Sequence, residues 1–199
     1  MIEREFEIIR SMTGNTDILL AAAPVDDWNR ELSPWTAPPV HGTESFGGGA
    51  ADTLLYLLES IVYPLRREGR LFYLGGYSLA GLFALWSACQ TDVFTGIAAV
   101  SPSVWFPGFV DYMAQCPPRS SAVYLSLGAK EEKTRHPVLS QVGDAIRAIH
   151  GELERGGIPC TLEWNEGGHF RETEKRVARG FAWLMGEPHA AGREHGAPL

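Results

Sequence analysis

Cysteine is scarce in this sequence, and the three residues that occur stand far apart. Cys89, Cys116 and Cys160 are an odd number without a close pair. A disulfide framework needs paired cysteines, and a zinc site needs closely spaced Cys or His ligands. The H-E-x-x-H pattern of a zinc hydrolase is missing as well. We therefore expect no disulfide framework, no metal and no cofactor.

Basic residues are also few: the sequence has 17 Lys and Arg against 24 Asp and Glu, and the basic residues form no long run. The formal net charge of −7 argues against nucleic acid or an anionic membrane as a partner. No apolar run reaches the roughly 18 residues of a membrane-spanning helix. The first residues, MIEREFEIIR, are charged where a signal peptide is apolar. These absences predict a cytoplasmic protein that acts on a small molecule, and they leave its oligomeric state open.

A chain of 199 residues can bury a full core as one domain. We predict one domain over residues 1–186 and a flexible, Gly-, Pro- and Ala-rich tail over 187–199. Short apolar runs alternate with longer helical ones, which predicts an α/β fold with a mostly parallel sheet and helices on both faces. The predicted strands are Phe6–Arg10, Asp17–Ala22, Leu71–Leu74, Gly96–Val100, Ala122–Leu127 and Cys160–Trp164. The predicted helices are Ala50–Arg67, Leu79–Cys89, Phe106–Ala114, Pro137–Arg155 and Phe170–Met185.

One stretch, LFYLGGYSLAGLFALW, points to chemistry. It enters as a strand, breaks at two glycines and leaves as a helix, with Ser78 in the turn. Gly76 and Ala80, two residues before and after, are small enough for a tightly turned backbone. Such a turn exposes a hydroxyl at a helix N-terminus, where free N–H groups can stabilise an oxyanion. We interpret Ser78 as a nucleophile, although Ala80 departs from the G-x-S-x-G pattern and an ordinary glycine-rich junction is the alternative.

His169 is the histidine whose position suits a general base. A serine hydroxyl needs a base, the base needs an orienting acid, and both can follow later strands of an α/β sheet. NEGGHF follows the strand Cys160–Trp164 and puts His169 on a glycine-flanked loop before the last helix. Alone, it would be interpreted as a helix cap. The other histidines lie near helix starts, in a helix or in the tail: His41, His136, His150, His189 and His195.

The acid is expected in GAKEEKTRHP, after the strand Ala122–Leu127. A tight turn at Gly128 can direct Glu131 back across the sheet edge, which leaves Glu132 to reach solvent or the next helix. Adjacent glutamates also fit a solvated charge pair. We predict Glu131 as the acid, and a Ser78–His169 dyad without a side-chain acid is the alternative.

The GYSLAG turn, the GGHF loop and the order serine, acid, histidine resemble the α/β-hydrolase superfamily. More narrowly, they are similar to its esterase branch, which includes esterase D, enterochelin esterases and mycolyltransferases. DDWNRELSPW, FGGGAAD, SPSVWFPGF and SLGAKEEKTRHP are of the same type, so the resemblance runs from about Asp17 to Met185. The chain is short for that branch, because only one helix separates the early strand from the nucleophile strand. A shortened N-terminal side is therefore expected.

The resemblance implies an oxyanion hole built from two backbone amides. One is the N–H of Leu79, and the other lies in the turn around Trp28. Too few residues separate the strands before and after Phe106–Ala114 for a lid domain, so we expect an open site edged by aromatic side chains. The candidates for contact with substrate are Tyr77, Trp35, Trp105 and Phe170.

The sequence thus predicts a serine hydrolase that cleaves a carboxylic ester or thioester through an acyl-enzyme on Ser78. An acyltransferase would use the same residues with another acceptor in place of water. A binding protein that kept the fold without turnover is the alternative of a different class.

Overall fold

The computed structural model describes residues 2–14, 17–40 and 42–186, and the predicted tail at 187–199 lies outside these ranges. None of the helices within them is long and apolar enough to cross a membrane. The α-helices are α1 (Ile2–Thr13), α2 (Trp28–Glu31), α3 (Ala50–Leu57), α4 (Tyr63–Leu65), α5 (Leu79–Gln90), α6 (Phe109–Gln115), α7 (Val142–Arg155) and α8 (Thr173–Gly186). A π-helical segment, Leu58–Val62, joins α3 to α4, and two short 3-10 helices span Glu131–Lys133 and Leu139–Gln141. The strands are β1 (Thr36–Ala37), β2 (Phe46–Gly47), β3 (Tyr73–Tyr77), β4 (Gly96–Val100), β5 (Ala122–Gly128) and β6 (Cys160–Asn165).

The main sheet consists of four parallel strands in the order β3-β4-β5-β6. Successive residues of β4 face opposite sides: Ile97 and Ala99 belong to one apolar core, and Ala98 and Val100 to another. The first core contains α3, α5 and α7, and the second contains α1 and α8. This arrangement confirms the predicted class, a mostly parallel sheet with helices on both faces.

The predicted lid-free connection between β4 and β5 is also confirmed. Only the short helix α6 lies in this connection. Its Phe109 and Met113 are buried in the first core, so α6 forms part of the body of the domain.

The strand predicted over Phe6–Arg10 is wrong, because these residues lie within α1. Acidic residues in the first turn and Arg10 in the last turn complement the helix dipole. Ile9 is buried against the core that contains α8. Two adjacent isoleucines within a charged segment are compatible with a strand. The segment forms a helix because one face of that helix is buried against α8.

The strand predicted over Asp17–Ala22 is also wrong, since this segment has no regular secondary structure. Alternate side chains of this segment are nevertheless partly buried: Ile18 and Leu20 pack against the second core, and Leu19 is exposed. Residues 17–21 line a cavity of about 660 Å³ together with residues of β3. Among the described residues, β3 therefore pairs with a strand on one side only, where it meets β4.

Candidate active site

Ser78 lies on a strained turn between β3 and α5. Its φ of 59° falls in the left-handed region that residues with a side chain rarely adopt. A Cβ on Gly76 would lie 2.4 Å from the backbone carbonyl of Ala80, so the turn requires glycine at that position. The backbone N–H of Ser78 continues the sheet by donating to the carbonyl of Val100 at 3.0 Å. The hydroxyl is thereby presented at the carboxyl edge of the sheet, at the first residue before α5.

His169 follows β6 on the Gly167-Gly168 loop and reaches the serine. Its Nε2 lies 3.1 Å from Ser78 Oγ. The carbonyl of His169 accepts a hydrogen bond from the hydroxyl of Tyr77, so the loop is attached to the last residue of β3. The imidazole side chain is 30% exposed, so it is held by the protein yet open to a substrate.

Glu131 lies on the other side of the imidazole. Its Oε2 is 2.7 Å from His169 Nδ1. With the proton on Nδ1, His169 donates to Glu131, and Nε2 is free to accept from Ser78. Oε1 accepts from the Gly128 amide at 2.6 Å and from the Ser101 hydroxyl at 2.7 Å. A Cβ on Gly128 would lie 2.8 Å from Glu131 Oε1, which explains why glycine ends β5.

The Glu131 carboxylate is ionised in this environment. Burial alone would raise its pKa, and its side chain is only 6% exposed. Hydrogen bonds from His169, Ser101 and the Gly128 amide outweigh burial, so the pKa lies below the ordinary value. A depressed pKa keeps the carboxylate charged at neutral pH, and the charge is lost only when the pH falls through that lowered value.

Glu132 points away from this cluster. Its carboxylate pairs with Arg147 of α7 at 2.9 Å. The two adjacent glutamates therefore face different partners, one the imidazole and the other a helix.

Three further polar residues contact the cluster, and none of them was predicted from the sequence. Ser101 follows β4, has φ of 43° and is buried beside Glu131. Ser103 brings its hydroxyl within 3.3 Å of Ser78 Oγ. Arg176 of α8 is 1% exposed and contacts Glu131 Oε1 at 3.2 Å. The phrase SPSVW after a strand was the available signal for the two serines, whereas Arg176 stands in an ordinary helical pattern.

The two proposed oxyanion donors differ in their surroundings. Leu79 is the first residue of α5, next to Ser78, and its backbone N–H lies at a helix N-terminus. Trp28 begins α2 and is 49% exposed. Within the described ranges, no hydrogen bond joins the turn around Trp28 to Ser78. Both donors stay predictions.

The four aromatic residues predicted to contact substrate fall into two groups. Tyr77 supports the histidine loop, and the Trp35 indole donates to the Pro107 carbonyl at 3.1 Å and packs on aromatic residues of α6. Phe170 is 90% exposed, with its ring edge-on to the His169 imidazole at 5.0 Å. Trp105 is half-buried beside Phe46. Phe170 and Trp105 are the better candidates for contact with a substrate.

A metal centre has no obvious ligand set in this part of the molecule. In the described residues, no group of three or more His, Cys, Asp and Glu side chains could hold an ion. The cluster itself presents a hydroxyl, an imidazole and a carboxylate in series.

Solved structures with a similar fold are serine hydrolases and esterases by their names. An IroE-like serine hydrolase from Shewanella oneidensis has a TM-score of 0.63 at 19% identity over 79% of this chain. The siderophore hydrolase EstB from Aspergillus nidulans has a TM-score of 0.62 at 21% identity over 84% of this chain. The enterobactin esterase FES from Shigella flexneri has a TM-score of 0.52 at 18% identity over 67% of this chain. This likeness shows an α/β-hydrolase fold.

The chain spans 56%, 66% and 38% of the length of those three proteins, respectively. No protein-family model matches the sequence, and no curated protein matches it. The similarity therefore lies in the fold.

The turn at Ser78 can be tested through Gly76. Gly76→Ala places a methyl group against the Ala80 backbone, so we expect it to lower the free energy of unfolding by about 1–3 kcal/mol. The matched control is Gly151→Ala in α7, where a Cβ meets nothing within 4 Å. Helix propensity predicts that this control stabilises the protein by about 0.5–1 kcal/mol. Urea denaturation of both variants measures the difference, and equal stabilities would contradict the tight turn.

Proposed function

We propose that the protein is a serine hydrolase that cleaves a carboxylic ester or thioester through an acyl-enzyme on Ser78. The supporting observation is the series of two contacts, 3.1 Å from Ser78 Oγ to His169 Nε2 and 2.7 Å from His169 Nδ1 to Glu131 Oε2. A nucleophile, a base and an orienting acid in this order activate a serine.

In the first half of the reaction, His169 Nε2 takes the proton of Ser78 as Oγ attacks the carbonyl carbon. The Leu79 amide, at the positive end of α5, donates to the oxyanion that forms, and the second proposed donor is the backbone near Trp28. Glu131 stabilises the imidazolium without taking its proton. The C–O or C–S bond then breaks, and His169 returns the proton to the leaving alcohol or thiol.

In the second half, water attacks the acyl-enzyme with His169 again as base. The acid product leaves, and Ser78 regains its proton. An acyl acceptor other than water would give a transferase on the same residues. Product analysis with and without added alcohols separates the two outcomes.

The proposed substrate class is an ester with a short or aromatic acyl group. No lid domain covers the site within the part of the chain that the structure describes, so a long apolar chain would have little surface to bind there. Phe170 is 90% exposed beside the base and offers an aromatic side chain. Two similar structures are named siderophore hydrolase and enterobactin esterase, and a structure of the enterobactin esterase was determined in the presence of 2,3-di-hydroxy-N-benzoyl-serine, which carries an aromatic ring.

Ser78→Ala should abolish ester hydrolysis and covalent labelling by a fluorophosphonate, with a loss of several orders of magnitude in rate. The matched control is Ser103→Ala, which removes the neighbouring hydroxyl at 3.3 Å and should remain labelled. Mass spectrometry of the labelled peptide identifies the serine. Label on Ser103, or full turnover by Ser78→Ala, would show that Ser78 is not the nucleophile.

Glu131→Gln should reduce kcat/KM on the order of a hundredfold or more, because the imidazole loses the carboxylate that fixes its tautomer. Glu132→Gln is the matched control, and its loss of the surface pair with Arg147 should change the rate little. Steady-state kinetics on one ester measures both. The reverse ranking would move the acid to Glu132, and two near-neutral variants would indicate a Ser78–His169 dyad.

A panel of esters tests the substrate class. We expect kcat/KM to be highest for short and aromatic acyl groups and to fall at acyl chains of about ten carbons or more. Phe170→Ala should reduce the preference for aromatic acyl groups, whereas Leu55→Ala, an exposed apolar residue of α3, should leave it unchanged. Rates that climb steadily with chain length would contradict an open aromatic rim.

A further inference from the structure

The largest fully buried side chain of the described residues is an arginine, Arg176, in the first turn of α8. Its guanidinium Nη2 donates to Glu131 Oε1 at 3.2 Å and to the Ser101 hydroxyl. Charged side chains are almost never fully buried unless they are paired. The partner here is the proposed acid.

Arg176 also reaches the support of the histidine loop. Its Nη1 donates to the Tyr77 hydroxyl at 2.9 Å and to the Gly168 carbonyl at 3.4 Å. The Tyr77 hydroxyl in turn donates to the carbonyl of His169. One planar cation thus contacts groups that follow β4, β5 and β6 and the last residue of β3.

We infer that Arg176 is a positioning residue for the proposed reaction. It holds the Glu131 carboxylate and the His169 loop in fixed positions relative to each other, and it sets the pH at which the Glu131–His169 pair becomes active. This inference rests on the proposed function. Arg176 acts through Glu131 and Tyr77, and it makes no contact with Ser78.

The two oxygens of the Glu131 carboxylate have different partners, and this difference fixes the orientation of the group. Oε2 contacts His169, while Oε1 receives Arg176, Ser101 and the Gly128 amide. With three donors on Oε1, rotation of the carboxylate away from His169 would break several hydrogen bonds at once. A lysine could supply the charge but lacks the planar fork that reaches Glu131 and Tyr77 together.

The positive charge of Arg176 affects which protonation state of the Glu131–His169 pair is favoured. The active form needs Glu131 ionised and His169 neutral, so both groups must have lost a proton. A positive charge beside Glu131 favours proton loss from the hydrogen-bonded Glu131–His169 pair taken as a unit. Removing that charge would make this proton loss less favourable, so the active form would develop at higher pH.

Other charges around α8 are engaged elsewhere and leave Arg176 as the cation that faces the Glu131 carboxylate from this helix. Glu163 of β6 pairs with Arg179 and accepts from the Tyr124 hydroxyl. The remaining pairs lie toward the surface: Arg4 with Glu174, Lys175 with Glu172, and Arg171 with Glu166.

The experiment compares Arg176→Met with Arg179→Met. Both remove one arginine from the same helix, but Arg179 pairs with Glu163 at 2.5 Å and does not contact Glu131. For Arg176→Met we expect the acid limb of the kcat/KM profile to move up by roughly one pH unit and the plateau to fall by about a hundredfold. Arg179→Met should change neither. An unshifted limb in a folded Arg176→Met would overturn the inference.

Arg176→Lys and Arg176→Gln separate charge from shape and keep the test decisive if the methionine variant does not fold. Lys should leave the acid limb in place while lowering the plateau, because the charge remains and the fork is lost. Gln should shift the limb upward as Met does. A lysine variant with the wild-type plateau, or a glutamine variant with the wild-type limb, would contradict the corresponding part of the inference.

A readout independent of turnover uses proton NMR in the Ser78→Ala background. The Nδ1 proton that His169 shares with Glu131 should give a downfield resonance, because the two atoms lie only 2.7 Å apart. We expect the pH at which this resonance changes to rise when Arg176→Met is added and to stay unchanged with Arg179→Met. Absence of ester turnover in the wild type would reject the proposed function, whereas this resonance would still decide the role of Arg176.

Discussion

A single buried carboxylate, that of Glu131, joins the ends of three strands and one helix. It accepts from Ser101 after β4, from the Gly128 amide that ends β5, from His169 after β6 and from Arg176 of α8. Burial raises the pKa of the carboxyl, and the hydrogen bonds from His169, Ser101 and the Gly128 amide lower it below its ordinary value. The register of the parallel sheet brings the donors together, and the carboxylate holds them there.

The strained turn at Ser78 depends on the same sheet. A left-handed φ at a residue with a side chain is unfavourable, and it persists only when the surroundings determine it. Here the Ser78 amide is bound to Val100, and its carbonyl accepts from the amides of Leu82 and Ser103. The position of the proposed nucleophile is therefore fixed by β4 and α5 together, before any substrate is present.

The sequence predicted most of this arrangement because the relevant signals are local. Strand-to-helix turns, glycines and polar residues that follow apolar runs can be recognised along the chain, and they placed Ser78, Glu131 and His169 on one edge. Arg176 was not predicted, because a charged residue in a helix normally faces solvent. Arg176 is buried because α8 packs across the carboxyl edge of the sheet, and this packing belongs to the tertiary structure, which the local sequence pattern does not specify. The same holds for α1, where packing against α8 decided between strand and helix.

The chain before β3 contributes to some parts of the proposed site and not to others. Ser78, His169, Glu131 and Arg176 all come from β3–β6, the loops that follow these strands and α8, so the proposed proton-transfer series uses no residue before β3. The amide of Leu79 belongs to the same unit. Only the second oxyanion donor and part of the aromatic rim come from the earlier chain, around Trp28 and Trp35. Variation in that region should therefore alter transition-state stabilisation and substrate choice while leaving activation of the serine intact.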